Sequence, residues 1–207
     1  MEETKKTSRW NANKTMTVVM MGLLTAIVVV LQLVASQIKF GPFSITLCLA
    51  PIIIGAALFG WKSGVWLGFV FGLVVLLTGD ASAFMAVNIP GTIITVLLKG
   101  SVAGLVGGLV YSLVSKKAEN KIVPVIAAGI ATPLANTGVF IIGCYVFFYK
   151  TLTEWGEAFG YENATSYIIF GMTGLNFLVE LGVNLVLGSA IVFLIDLVRK
   201  MIPSLSK

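Results

Sequence analysis

Two ionisable side chains, Lys99 and Glu180, lie well inside long apolar stretches of the chain. Placing either one at the centre of a bilayer helix costs roughly 2.5–3.5 kcal/mol on insertion scales. A sequence that keeps both must offset that cost, by pairing them with each other or by binding something polar. Each also belongs to a polar stripe. Asn176, Glu180 and Asn184 follow i, i+4, i+8 and share one helix face, while Thr92, Thr95 and Lys99 follow i, i+3, i+7 on another. Thr132 and Asn136, four apart and just ahead of Thr137, give a third helix a polar face. Lys99 and Glu180 fall about 11–13 positions into their helices, roughly 16–20 Å down, so their depths agree. Three such faces turned together would line one cavity with a cation, a carboxylate, carboxamides and hydroxyls. That chemistry suits capture of a small polar solute. The competing reading is a structural ion pair reinforced by interhelical amide bonds. With Asn88 at the head of the Thr92–Lys99 helix, the candidate contacts are Lys99, Glu180, Asn176, Asn184, Asn136, Thr92, Thr95 and Asn88.

Two loops could cover such a cavity. Residues 150–167 interleave Trp155, Phe159, Tyr161 and Tyr167 with Glu154, Glu157 and Glu162, and Gln37–Phe43 is short and aromatic. These aromatics read either as interfacial anchors or as lids, and Trp155 and Tyr161 join the candidate contacts on the second reading.

Other chemistries are excluded. Histidine is absent, which removes the usual general base and the commonest zinc ligand. Cys48 and Cys144 sit in apolar runs without a CxxC partner and read as inert buried thiols. No metal site, no cofactor and no enzymatic activity are expected. A Gly-x-x-x-x-Gly-Lys-Ser/Thr loop is missing, so the chain does not itself hydrolyse ATP. The two halves show no inverted repeat with broken helices, which weakens a secondary-transport reading.

The elements that must position these groups are membrane helices. Of 207 residues, 57% are hydrophobic and 11% charged, against roughly 25% charged in soluble domains. Each span needs about 20 apolar residues. Six candidates run Thr15–Ser36, Ser44–Phe59, Ser63–Leu77, Asn88–Val114, Ile122–Tyr149 and Tyr167–Val198, with a single bent element over the second and third as the alternative. The runs are continuous, without the period-2 alternation of barrel strands. The fold expected is an all-α integral membrane protein with one domain over 1–207: a tail at 1–14, a six-helix bundle at 15–198 and a tail at 199–207. The net charge of +5 lies between the spans, so topology explains it better than nucleic acid does. Lys5, Lys6, Arg9, Lys14, Lys62, Lys116, Lys117, Lys121, Arg199, Lys200 and Lys207 fall on one side, against Lys39 and Lys150 on the other. The positive-inside rule then puts both termini in the cytoplasm.

Glycine recurs every fourth residue at Gly60, Gly64, Gly68 and Gly72, and again at Gly100, Gly104 and Gly108. In lipid such stripes let backbones approach closely, and internal packing is the reading for both. Gly22 and Ala26 form a weaker pair on the first span, either packing or a docking face for another membrane protein.

The chain resembles the substrate-binding S components of bacterial energy-coupling factor (ECF) vitamin transporters. The resemblance runs from about Thr15 to Arg199. Its most specific stretches are Gly41-Pro42-Phe43-Ser44-Ile45-Thr46, Pro51-Ile52-Ile53-Ile54-Gly55-Ala56-Ala57-Leu58-Phe59-Gly60 and Gly64-Val65-Trp66-Leu67-Gly68-Phe69-Val70-Phe71-Gly72. The resemblance implies a six-helix bundle in the bacterial plasma membrane that captures a vitamin from outside. It implies docking on a transmembrane coupling protein (the T component) carried by two cytoplasmic ATPases, and delivery by toppling in the membrane. The family's Ala-x-x-x-Ala docking motif falls on Gly22 and Ala26, with glycine in place of the first alanine. Lys99 could take a carboxylate, and asparagines and threonines could bond hydroxyls or amides. Pantothenate leads on that chemistry; folate, biotin and riboflavin remain alternatives. So do an autonomous secondary transporter and a scaffold in which Lys99 and Glu180 merely pair.

Overall fold

A computed structural model describes residues 2–40, 43, 44 and 46–201, with side chains described over 15–38, 46–188 and 190–198 and at Lys200. The expected C-terminal tail from 202 onward, and Gly41 and Pro42 of the first expected lid, lie outside the described residues. The architecture is all-α: α1 (Glu2–Ala35), α2 (Leu49–Phe59), α3 (Trp61–Leu77), the short α4 (Ser82–Met85), α5 (Ile89–Ser115) and α6 (Ile122–Gly143) come first. After them come α7 (Tyr149–Ala158), the single turn α8 (Ala164–Ser166), α9 (Gly174–Val186) and α10 (Gly188–Met201). One two-residue antiparallel pair interrupts the helices, β1 (Lys39–Phe40) against β2 (Phe43–Ser44), with Lys39 opposite Ser44.

Four helical stretches are long and apolar enough to cross a membrane: Thr15–Ala35, Ile89–Ser115, Ile122–Ala158 and Ala164–Val186. The apolar helices α2 and α3 are shorter. At 1.5 Å per residue they reach roughly 16 and 26 Å, less than a hydrocarbon core of about 30 Å. They are separate helices because Gly60 between them adopts φ 88°, ψ 173°, a conformation that only glycine takes at little cost.

The glycine stripes do what spacing suggests. A Cβ at Gly68 would land on the carbonyl of Gly100, one at Gly64 on that of Gly104, and each pair clashes reciprocally. A Cβ at Gly72 would lie 2.8 Å from the Val96 carbonyl oxygen. Helices α3 and α5 therefore meet backbone to backbone. Glycines also seat α6 on α5, where Gly107 faces Thr132 and Gly143 faces Thr95.

Three boundaries differ from the sequence expectation. The helix of the first span begins at Glu2, inside the stretch read as a tail. The fifth span does not end at Tyr149: a π turn over Cys144–Phe148 leads into α7, and the helix continues to Ala158. Leu152 and Gly156 are buried while Lys150, Glu154 and Glu157 are exposed, a one-sided helix pattern whose polar half resembles a loop in sequence. The last expected span is not one helix either. It is a π turn over Tyr167–Thr173, then α9, then a break at Leu187 ahead of Gly188, and then α10.

Three apolar clusters hold the bundle. Leu24, Val28, Ile52, Leu67, Phe71 and Val96 join α1, α2, α3 and α5. Ile53, Leu58, Tyr111, Val125, Ile191 and Ile195 join α2, α5, α6 and α10. Phe84, Cys144, Phe148, Leu152, Tyr167 and Ile168 gather the connecting segments at one end. Cys48 and Cys144 are both buried and unbridged, as inert thiols would be.

Candidate solute-binding site

A cavity whose surroundings hold about 540 Å³ of non-atom space, open solvent included, lies among α1, α3, α5, α6 and α9. Helix α5 contributes Thr92, Thr95 and Lys99, α9 contributes Asn176, and α6 contributes Phe140. A smaller space of about 300 Å³ shares the wall formed by Lys99, Phe140 and Asn176, and adds Asn136, Thr137, Met172 and Thr173. The three polar faces read from spacing thus meet around one region. The π turns contribute to it: Phe148 comes from the first, Met172 and Thr173 from the second. Such turns recur at functional sites, where one extra residue re-aims the side chains that follow.

Lys99 has an unusual environment. Its Nζ lies 5.7 Å from the Phe71 ring centroid and 5.3 Å from that of Phe140. Each cation–π contact contributes about 0.5–2 kcal/mol, yet neither consumes one of the three ammonium N–H donors as a conventional hydrogen bond would. Among the described residues the ion pair within 4.0 Å is Lys121–Asp196 at 2.8 Å, well exposed and so worth little. Lys99 and Glu180 do not form one.

Glu180 is instead enclosed by donors. Asn176 Nδ2 donates to its Oε1 at 2.9 Å, and Asn136 Nδ2 donates across both carboxylate oxygens at 3.3 and 3.5 Å. The Thr46 hydroxyl completes the set. Glu180 is 0% exposed, and the walls of both spaces are built by its partners and not by Glu180 itself.

The remaining candidates divide. Thr92 turns its hydroxyl back to the Asn88 carbonyl at 2.7 Å, leaving lone pairs for the cavity. Thr95 Oγ1 and Asn136 Oδ1 are buried and lack a partner among the described residues. Asn184 is also buried with its Oδ1 unpartnered, one turn beyond Glu180, but it lines neither space. Asn88 is a helix cap, its Oδ1 accepting from the Gly91 N–H at 2.9 Å. Trp155 reaches the cavity only through Phe84, edge to face at 5.7 Å. Tyr161 packs on Tyr167 at 5.3 Å and stands apart from both spaces.

Several lining groups were not singled out by spacing. Gln32, 1% exposed, donates through Nε2 to Asp80 Oδ2 at 2.9 Å, and both line the larger space. Thr46 does as well. Phe84 meets Phe140 at 5.8 Å and Phe148 at 4.9 Å, edge to face, closing one side with aromatic surface. Gln32 did carry a signal, being the lone carboxamide of an otherwise apolar first span. Asp80 carried none beyond its charge.

Residues 16–193 match the family described as ECF transporter, substrate-specific component. The chain is 27% identical over 197 residues to the pantothenic acid transporter PanT of Lactococcus lactis subsp. cremoris (strain MG1363), an alignment covering 87% of this chain and 93% of that protein. Its fold matches a solved structure of ThiT from Listeria monocytogenes with a TM-score of 0.64 at 23% identity, over 93% of this chain and 97% of the other. At that identity the likeness is one of fold.

Proposed function

Because the chain belongs to the substrate-specific components of ECF transporters, membrane subunits that bind substrate and are not enzymes, we propose that it captures pantothenate for import. The observation that carries this reading is Lys99, on a cavity wall with two aromatic faces beside it and, among the described residues, no carboxylate within 4.0 Å. A ligand carboxylate is the partner it lacks. Thr92, Thr95, Asn136 and Asn176 supply hydroxyl and carboxamide groups for an amide and two hydroxyls, and the similarity to a pantothenic acid transporter supports the same ligand.

Import needs an energy source that this chain does not carry. In the proposed cycle the protein docks on a transmembrane coupling protein bearing two cytoplasmic ATPases, whose ATP hydrolysis topples it to release the vitamin inside. Gly22 and Ala26 are the proposed docking positions. Both are exposed on α1, and a Cβ at Gly22 would meet nothing within 4 Å. The charge asymmetry supports cytoplasmic termini, and in that orientation the cavity would load from outside.

The test is mass spectrometry of small molecules released from the detergent-purified protein, followed by calorimetric titration with pantothenate, folate, biotin and riboflavin. Stoichiometric pantothenate with submicromolar affinity is expected. A different vitamin would reassign the ligand, and pantothenate uptake into proteoliposomes lacking any ATPase would overturn the ATP-driven cycle.

A further inference from the structure

We propose that Glu180 is a positioning residue that fixes the polarity of two cavity carboxamides, and so selects anions that bring hydrogen-bond donors of their own. The inference rests on reading the cavity as a capture site for an anionic vitamin. A carboxylate can only accept, whereas a carboxamide carries an NH₂ at one end and an oxygen at the other. Glu180 receives the Nδ2 of Asn176 at 2.9 Å and the Nδ2 of Asn136 at 3.3 Å. Each asparagine is thereby held with its nitrogen on the buried acid. The oxygen of each is left as the end not bound to Glu180. Asn136 Oδ1 is buried and lacks a donor among the described residues, and Asn136 and Asn176 both line the space beside Lys99.

The larger space holds a further carboxylate. Asp80 is a second acceptor, steadied by the Gln32 Nε2 at 2.9 Å. Beside Lys99 the lining therefore offers the Asn136 oxygen as an unmet acceptor, and the Thr95 hydroxyl can serve either way. A ligand that satisfies it has one anionic group for Lys99 and hydroxyl or N–H donors for the acceptors. An anion whose remaining polar atoms only accept would set acceptor against acceptor in a buried site, at a cost of roughly tenfold in affinity for each pair left unmade. Glu180 achieves this without touching the ligand.

The test compares two ligands on three proteins by calorimetry in detergent. The probes are pantothenate and N-(3,3-dimethylbutanoyl)-β-alanine, which keeps the carboxylate and amide but lacks both hydroxyls. Wild type should prefer pantothenate by tenfold or more. Glu180→Gln can present its own NH₂ to the asparagines and lets them invert. It should weaken pantothenate about tenfold and leave the dideoxy compound within threefold, collapsing the ratio. Thermal unfolding checks that the variant is folded. If it is not, Asn136→Leu removes one acceptor directly and should collapse the ratio in the same way. A folded Glu180→Gln that retains the wild-type ratio overturns the positioning role while leaving pantothenate capture intact. Loss of affinity for both probes in parallel also overturns it, since a merely structural residue would behave so. Wild type binding neither probe overturns the capture reading and this inference with it.

Discussion

Replacing Lys99 by methionine separates ligand binding from folding, because the structure gives the ammonium aromatic neighbours but, among the described residues, no carboxylate within ion-pair distance. In the empty protein two terms nearly offset. Methionine removes a buried charge whose insertion costs roughly 2.5–3.5 kcal/mol, and it forfeits two cation–π contacts of about 0.5–2 kcal/mol each. The expected change in stability therefore lies between a loss of about 1.5 and a gain of about 2.5 kcal/mol. Had Lys99 been paired with Glu180, deleting one partner would instead cost about 3–5 kcal/mol. In the bound state the balance is different. Truncating one member of a desolvated, hydrogen-bonded charge pair costs about 2–5 kcal/mol or more. At tenfold per 1.4 kcal/mol, pantothenate binding should weaken by roughly 30-fold to several thousandfold. Calorimetric titration in detergent reads the affinity, and a thermal melt of the ligand-free protein reads the stability. The reasoning is refuted if affinity stays within threefold of wild type. It is refuted equally if the empty variant melts as though several kcal/mol had been lost, because that result means an ion pair.

Further outcomes follow from contacts elsewhere. Gly68→Ala should destabilise the protein by about 1–3 kcal/mol or more, because its Cβ meets the Gly100 backbone and neither helix can yield locally; Gly22→Ala, with open space around it, should be neutral or stabilise by up to about 1 kcal/mol in the same melts. Gly22→Leu and Ala26→Leu should bind pantothenate as wild type does but fail to co-purify with the coupling protein and its ATPases; loss of both activities at once would contradict a docking role. Gln32→Leu removes a donor from Asp80 and should lower pantothenate affinity by about tenfold, read by titration alongside a thermal melt of the same variant.

How much of the fold was legible depended on what the bilayer demands. Apolar length is a strict requirement, so the end of α1 at Ala35 and both ends of Ile89–Ser115 stand out in the sequence almost to the residue. The four-residue glycine period likewise has one physical use in lipid, and Gly64, Gly68, Gly100 and Gly104 serve it. Segments that answer to water as well as lipid were harder. Helix α7 buries only the side carrying Leu152 and Gly156, so half its residues are those of a loop. The π turns at Cys144–Phe148 and Tyr167–Thr173 consist of ordinary apolar residues. Nothing in their composition distinguishes a turn with one extra residue from a regular one, since the difference lies in how neighbouring helices pack.

The sequence shows which polar side chains share a helix face but not how they connect, and the reason is the same for each group. Spacing says which side chains share a helix face, but a face has neighbours only in three dimensions. Lys99 and Glu180 at equal depth are compatible with an ion pair and with a binding site alike. The choice turns on Asn136, 44 positions from Glu180, whose nitrogen joins Asn176 and Thr46 in surrounding the acid. Once those donors occupy the carboxylate, none is left for it to need from Lys99, and the cation is released to face the cavity. Gln32 acts in parallel on Asp80, 48 positions away. Each carboxylate thus accepts from a neutral amide. A protein that needed only to bury its charges would have brought acid and base together. Keeping Lys99 beyond ion-pair distance of Glu180 leaves the lysine on the wall of the cavity, where the proposed capture of an anionic ligand needs it.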